Sequence, residues 1–120
     1  MKKIDVSTLK TKKQFHAAHK KLWNRIIKLT RKKFQYLPYL KIDAFKILFD
    51  EIVFFYCFGC AWSVKITGNC DCRKCLFKRK NKYTDYCLDG QWLDAKITYN
   101  SNDLSAKIAA AKAIRDFPVK

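Results

Sequence analysis

Cysteine is the residue type in this chain best placed to do chemistry, and four of the six cysteines are spaced in pairs. Cys57-Phe-Gly-Cys60 and Cys72-Arg-Lys-Cys75 are two C-x2-C units with eleven residues between them. A unit of this spacing turns two thiolates toward one ion, and two units complete a tetrahedral four-thiolate Zn²⁺ site with Zn–S distances of about 2.3 Å. Gly59 suits the turn of the first unit because it tolerates positive φ. Arg73, Lys74 and Lys78 offset the charge of roughly −2 that one zinc and four thiolates carry. The competing readings are plain buried thiols and a redox dithiol; the latter needs a βαβ context that the sequence does not offer.

Cys70 and Cys87 are surplus to this set. Cys70 precedes Cys72 by two residues, and a C-x-C pair strains a tetrahedral site more than C-x2-C does. Cys87 stands in an apolar helical context and reads as core. Either can take the place of one of the four ligands. His16 and His19, the two histidines, fall on one side of a helix at i and i+3. They read as an exposed residue in a basic helix and a ring stacked near Trp23, with metal ligation as the alternative.

Charge is the second chemical feature. The net charge is +16, and it is concentrated. Residues 1–41 hold 13 Lys/Arg against the single acid Asp5, and Arg73 to Lys82 adds six more cations with no acid. The remainder is close to neutral. Two basic blocks of this kind are the electrostatic footprint of a polyanion binder. The residues assigned to that surface are Lys20, Lys21, Arg25, Lys28, Arg31 and Lys32 in the first block, and Arg73, Lys74, Lys78, Arg79 and Lys80 in the second. A solvated lysine-rich face and an anionic membrane are the alternatives.

Catalytic patterns are not found. The chain has no phosphate-cradling Gly-rich loop, no H-E-x-x-H and no nucleophile with an evident His partner. A four-cysteine zinc is closed and offers no position for a reactive water. Asp50 and Glu51 are adjacent, so on a helix they point about 100° apart. A nuclease centred on His16 or His19 is the minority reading. The expectation is a protein that is not an enzyme and has no small-molecule substrate.

The N-terminus runs from basic into polar residues without the apolar stretch of a secretory signal. The longest apolar run, Ile52 to Cys60, is far short of the roughly 20 residues a membrane helix needs. A cytoplasmic location follows as the expectation, and in a reducing compartment six cysteines favour metal over disulfides.

The elements that must position these residues are mainly helical, since three Gly and two Pro leave few turns for a β architecture. Thr11-Lys12-Lys13-Gln14 has capping-box spacing. Phe15, Ala18, Leu22, Ile26 and Leu29 then form a stripe at helical period, predicting a helix over about 12–34 that ends before Pro38. Asp43 is expected to cap a second helix running toward Phe54. Ile52–Phe58 is rich in β-branched and aromatic residues and is open to a strand reading. Trp62–Thr67 alternates weakly up to Gly68-Asn69, predicting a short hairpin. A third helix is expected from Thr84-Asp85. A terminal helix over about 104–117 follows the Asn100–Asp103 cap cluster and stops at Pro118. It is expected to set Leu104, Ile108, Ala111 and Phe117 against the Trp23 side of the first helix. The expected fold is therefore mainly α with a small zinc-knuckle/β-hairpin element, a single compact domain over residues 1–120, with the knuckles at 57–75.

With these residues in order, the chain resembles a group of small proteins of unknown function carried by phages and prophages of Gram-positive bacteria. The shared features are His19-x3-Trp23-Asn24, the two C-x2-C units, Cys87-x4-Trp92 and Ile114-x2-Phe117-Pro118, covering most of residues 16–118. Leu76 stands where members usually have Pro. The resemblance implies a zinc-binding phage accessory protein acting in the bacterial host cytoplasm. Proteins of that kind commonly block host defence. For a basic member the implied form is a CRISPR–Cas inhibitor that grips guide RNA, target DNA or an acidic surface of a Cas effector. The alternatives are a phage transcriptional regulator that binds duplex DNA, and a structural or partner-assembly protein without nucleic-acid contact.

Overall fold

The computed structural model describes residues 2–32, 37–51, 58–69, 74–77, 103–117 and 119. Among them the chain is mainly helical: α1 (Lys12–Lys32), α2 (Leu37–Leu48), α3 (Phe58–Thr67) and α4 (Leu104–Arg115). α1 is the central element, and α2, α3 and α4 all pack against it.

α1 begins where the capping box places it. The Gln14 backbone N–H donates to Thr11 Oγ1 (3.1 Å), and the Thr11 N–H donates back to Gln14 Oε1 (3.0 Å). Two orphan amides of the first turn are thereby satisfied reciprocally. The stripe Phe15, Ala18, Leu22, Trp23, Ile26 and Ile27 is buried, with Leu29 and Thr30 continuing it. Arg31 and Lys32 in the last turn complement the helix dipole.

The second helix departs from its expected start. α2 opens at Leu37 and includes Pro38, so Asp43 lies inside the helix rather than at its cap. Proline is compatible with the first turn, where its missing N–H has no intrahelical acceptor in any case. The end of α2 is strapped by the N-terminal segment. Ile4 N–H donates to the Leu48 carbonyl (2.8 Å) and Asp50 N–H to the Ile4 carbonyl (3.0 Å), forming an isolated parallel bridge. Phe45 and Phe49 then meet Phe58 of α3 at ring-centroid distances of 5.6 and 5.0 Å.

The expected hairpin is corrected: Trp62–Thr67 is the body of α3. Its weak alternation arises because Ser63 and Val64 are buried or half-buried while Lys65 to Thr67 face solvent. Gly68-Asn69 ends this helix instead of turning a hairpin. Gly68 has φ +80° and donates its N–H to the Val64 carbonyl (2.7 Å), which is the left-handed cap that glycine serves best. Among the described residues the only β pairings are isolated bridges, Ile4 with Phe49 and Phe77 with Val119. Of the strand considered over 52–58, Phe58 instead opens α3 and 52–57 lie outside the described residues, as does the helix expected from Thr84.

α4 starts on the expected cap, with Ser105 N–H donating to Asp103 Oδ1 at 2.9 Å. Its packing follows expectation at Ala111, with Ile108 and Phe117 partly buried against the core, and departs from it at Leu104. The buried face is Lys107, Ala110, Ala111 and Ile114, Ile108 is half-buried, and Leu104 is 41% exposed.

Candidate functional site: thiolate centre and basic face

Cys60 lies in the first turn of α3 and is buried; Cys75 is buried too, in the segment 74–77. The fold brings Cys75 against Gly59, the residue before Cys60, across sixteen residues. A β-carbon placed on Gly59 would stand 2.8 Å from Cys75 Sγ and 2.8 Å from the Phe77 ring. Glycine is required here for close approach. It lies within a helix, so the positive φ expected of it is corrected.

Cys57 and Cys72, the remaining members of the set, lie outside the described residues, as do Cys70 and Cys87. Among the described residues no three His, Cys, Asp or Glu side chains are grouped to hold a metal. His16 and His19 are not grouped with Cys60 and Cys75 among the described residues. One buried cysteine from each C-x2-C unit, Cys60 and Cys75, is thus among the described residues.

Phe77 ties this centre to α1. Its ring lies 4.4 Å from His19 and 6.5 Å from His16, and 6.1 Å from Phe117 beyond α4. His19 is buried, stacks 6.3 Å from Trp23 as expected, and bonds through Nε2 to the Ile114 carbonyl oxygen at 2.9 Å. A carbonyl only accepts, so Nε2 carries the proton. Burial pushes the imidazole down to about 4, assisted by nearby Lys41. His16 is half-buried rather than exposed, and its Nε2 is enclosed without a hydrogen-bond partner. Burial, then Lys20, depresses its pKa. The signal that would have marked Phe77 as the junction is long-range packing, and no local pattern around it announces that role.

The first basic block is presented as expected. Lys20, Lys21, Lys28, Arg31 and Lys32 are exposed, Arg25 is half-buried, and α1 contains no acidic residue. Lys74 of the second block is exposed; Arg73, Lys78, Arg79 and Lys80 lie outside the described residues. Phe77 packs on His16 and His19 of α1, within one turn of Lys20. At the end of α4, Arg115 donates from Nε and Nη2 to both oxygens of Asp116 (3.0 Å each) and from Nη1 to Asn24 of α1 (3.1 Å). Arg115, and more weakly Lys20, hold the Asp116 carboxyl below the ordinary range.

No helix among the described residues is long and apolar enough to cross a membrane. Comparison with family models, with curated proteins and with solved structures finds no match to this chain.

Proposed function

We propose that the protein is a non-enzymatic, zinc-stabilised binder of nucleic acid or of a nucleoprotein. The observation that carries this reading is the outer face of α1, a 21-residue helix with cations along its solvent side and no carboxylate. Such a face costs self-repulsion in isolation, and a polyanion relieves it. Zinc on Cys57, Cys60, Cys72 and Cys75 would fix the segment that carries the second basic block against α1 through Phe77. In the setting the sequence resemblance implies, the target is a host nucleoprotein such as a Cas effector or its guide RNA.

Two measurements test the reading without knowledge of the partner. Protein purified at low salt should carry a high A260/A280 ratio that falls only after a high-salt wash. The stripped protein should bind labelled RNA, single-stranded DNA or duplex DNA at about 50 mM salt, where counterion release is strong. No detectable binding to all three would overturn direct nucleic-acid contact and leave an acidic protein surface as the target.

A further inference from the structure

The cations of α1 are not scattered over its solvent side. At 100° per residue, Lys13, Lys20 and Arg31 are separated by seven and eleven residues and fall in one row, on the flank next to α4. Lys21, Arg25, Lys28 and Lys32 follow at spacings of four, three and four and form a second row. Between the rows runs a strip made by Ala17 and Asn24, both exposed. Lys13 to Lys32 spans about 28 Å of helix axis at 1.5 Å per residue.

The aromatic residues of α1, Phe15 and Trp23, are buried in the core. A single-strand binder needs aromatic platforms on which successive bases stack, and this face offers none. Two cation rows flanking a narrow strip of small residues instead match two phosphate walls flanking a groove. A helix about 10–12 Å across enters the DNA major groove, which is about 12 Å wide. The RNA major groove is too deep and narrow for it.

From this geometry, and resting on the nucleic-acid reading above, we infer that α1 seats in the major groove of duplex DNA, with one cation row on each strand. The strip facing the bases then holds only Ala17 and Asn24, and Asn24 Oδ1 already accepts from Arg115. Binding is therefore governed by backbone charge and groove shape, with little base preference. Asp116, tied to Arg115, stands beside the Lys20 row as a carboxylate near this face.

The test uses the full zinc-loaded chain with a labelled DNA duplex, an RNA duplex of the same sequence, and the separate strands. The DNA duplex should bind about 10-fold or more tightly than the RNA duplex, as expected for a groove that RNA closes. Lys20→Gln with Arg31→Gln, and separately Lys21→Gln with Lys28→Gln, should each lower the salt slope by about 2, at roughly 0.9 per phosphate contact. Guanine N7 atoms, which line the major groove, should be protected from methylation in the complex. Asp116→Asn should tighten binding. Equal or tighter binding to duplex RNA or to a single strand, unprotected N7 atoms, or an unchanged slope for either pair would overturn the groove assignment while leaving nucleic-acid binding in place. Binding to none of the probes would overturn both.

Discussion

His19 Nε2 stands 2.9 Å from the Ile114 carbonyl oxygen, so a neutral imidazole joins α1 to α4 inside the core. Its pKa is pushed down to about 4 in the fold, against about 6.5 in an unfolded chain. Protonation therefore favours unfolding. Stability from this group is fully present above pH about 6.5, and it declines as pH falls toward and through about 4. The total loss is on the order of 3 kcal/mol. Melting temperature measured from pH 7 to pH 4 should fall accordingly, and His19→Gln should flatten that profile. A wild-type melting temperature unchanged between pH 7 and 4 would contradict the buried neutral state.

Gly59 in α3 and Gly68 at its end should respond differently to alanine. Gly59→Ala drives a β-carbon to 2.8 Å from Cys75 Sγ and the Phe77 ring, and overpacking of this kind costs about 1–3 kcal/mol. It should also weaken metal retention, because Cys75 must move. Gly68→Ala meets no neighbouring atom within 4 Å but keeps φ +80°, so it should cost about 1 kcal/mol of backbone strain and leave the metal untouched. Denaturant titration with metal analysis of both variants checks this pair.

The α4 register makes a similar contrast. Ile114 is 2% exposed, and truncation to alanine should cost about 2–5 kcal/mol in denaturant unfolding. Leu104→Ala should stay within about 0.5 kcal/mol, as for an exposed residue. Equal costs would restore the register expected from sequence, in which Leu104 faces α1.

How far the sequence reveals the fold depends on how local the cause is. The Thr11–Gln14 box, the stripe from Phe15 to Leu29 and the Asp103 cap all act within a turn or two, and each is legible. α3 is not, because its aromatic and β-branched residues favour strand by composition, while packing of Phe58 on Phe45 and Phe49 holds it helical. Pro38 reads as a stop although it serves equally as a first-turn residue. The exposure of Leu104 is hidden because alanines dominate α4 and its apolar contrast is small. For the site, cysteine spacing and the solvent face of α1 are visible as patterns. The demand on Gly59 comes from Cys75, sixteen residues away, and nothing local encodes it.

Elemental analysis should find one zinc per chain. Cys60→Ser or Cys75→Ser should remove it and cause loss of structure around α3, since structural zinc contributes folding energy directly. Zinc retained in full after Cys72→Ser would move that ligand to Cys70 or Cys87. No zinc in protein purified without chelator would remove the metal from the account.

The salt dependence of nucleic-acid affinity tests the central claim most directly, because it counts the phosphates that the basic face engages. With six or more contacts the plot of log K against log salt should have a slope of about −5 or steeper, a loss on the order of 10³-fold between 50 and 200 mM. Charge reversal at Arg31 and Lys32 should flatten it while zinc content and melting temperature hold. A slope near zero, or one indifferent to that reversal, would contradict a polyanion-binding role for α1.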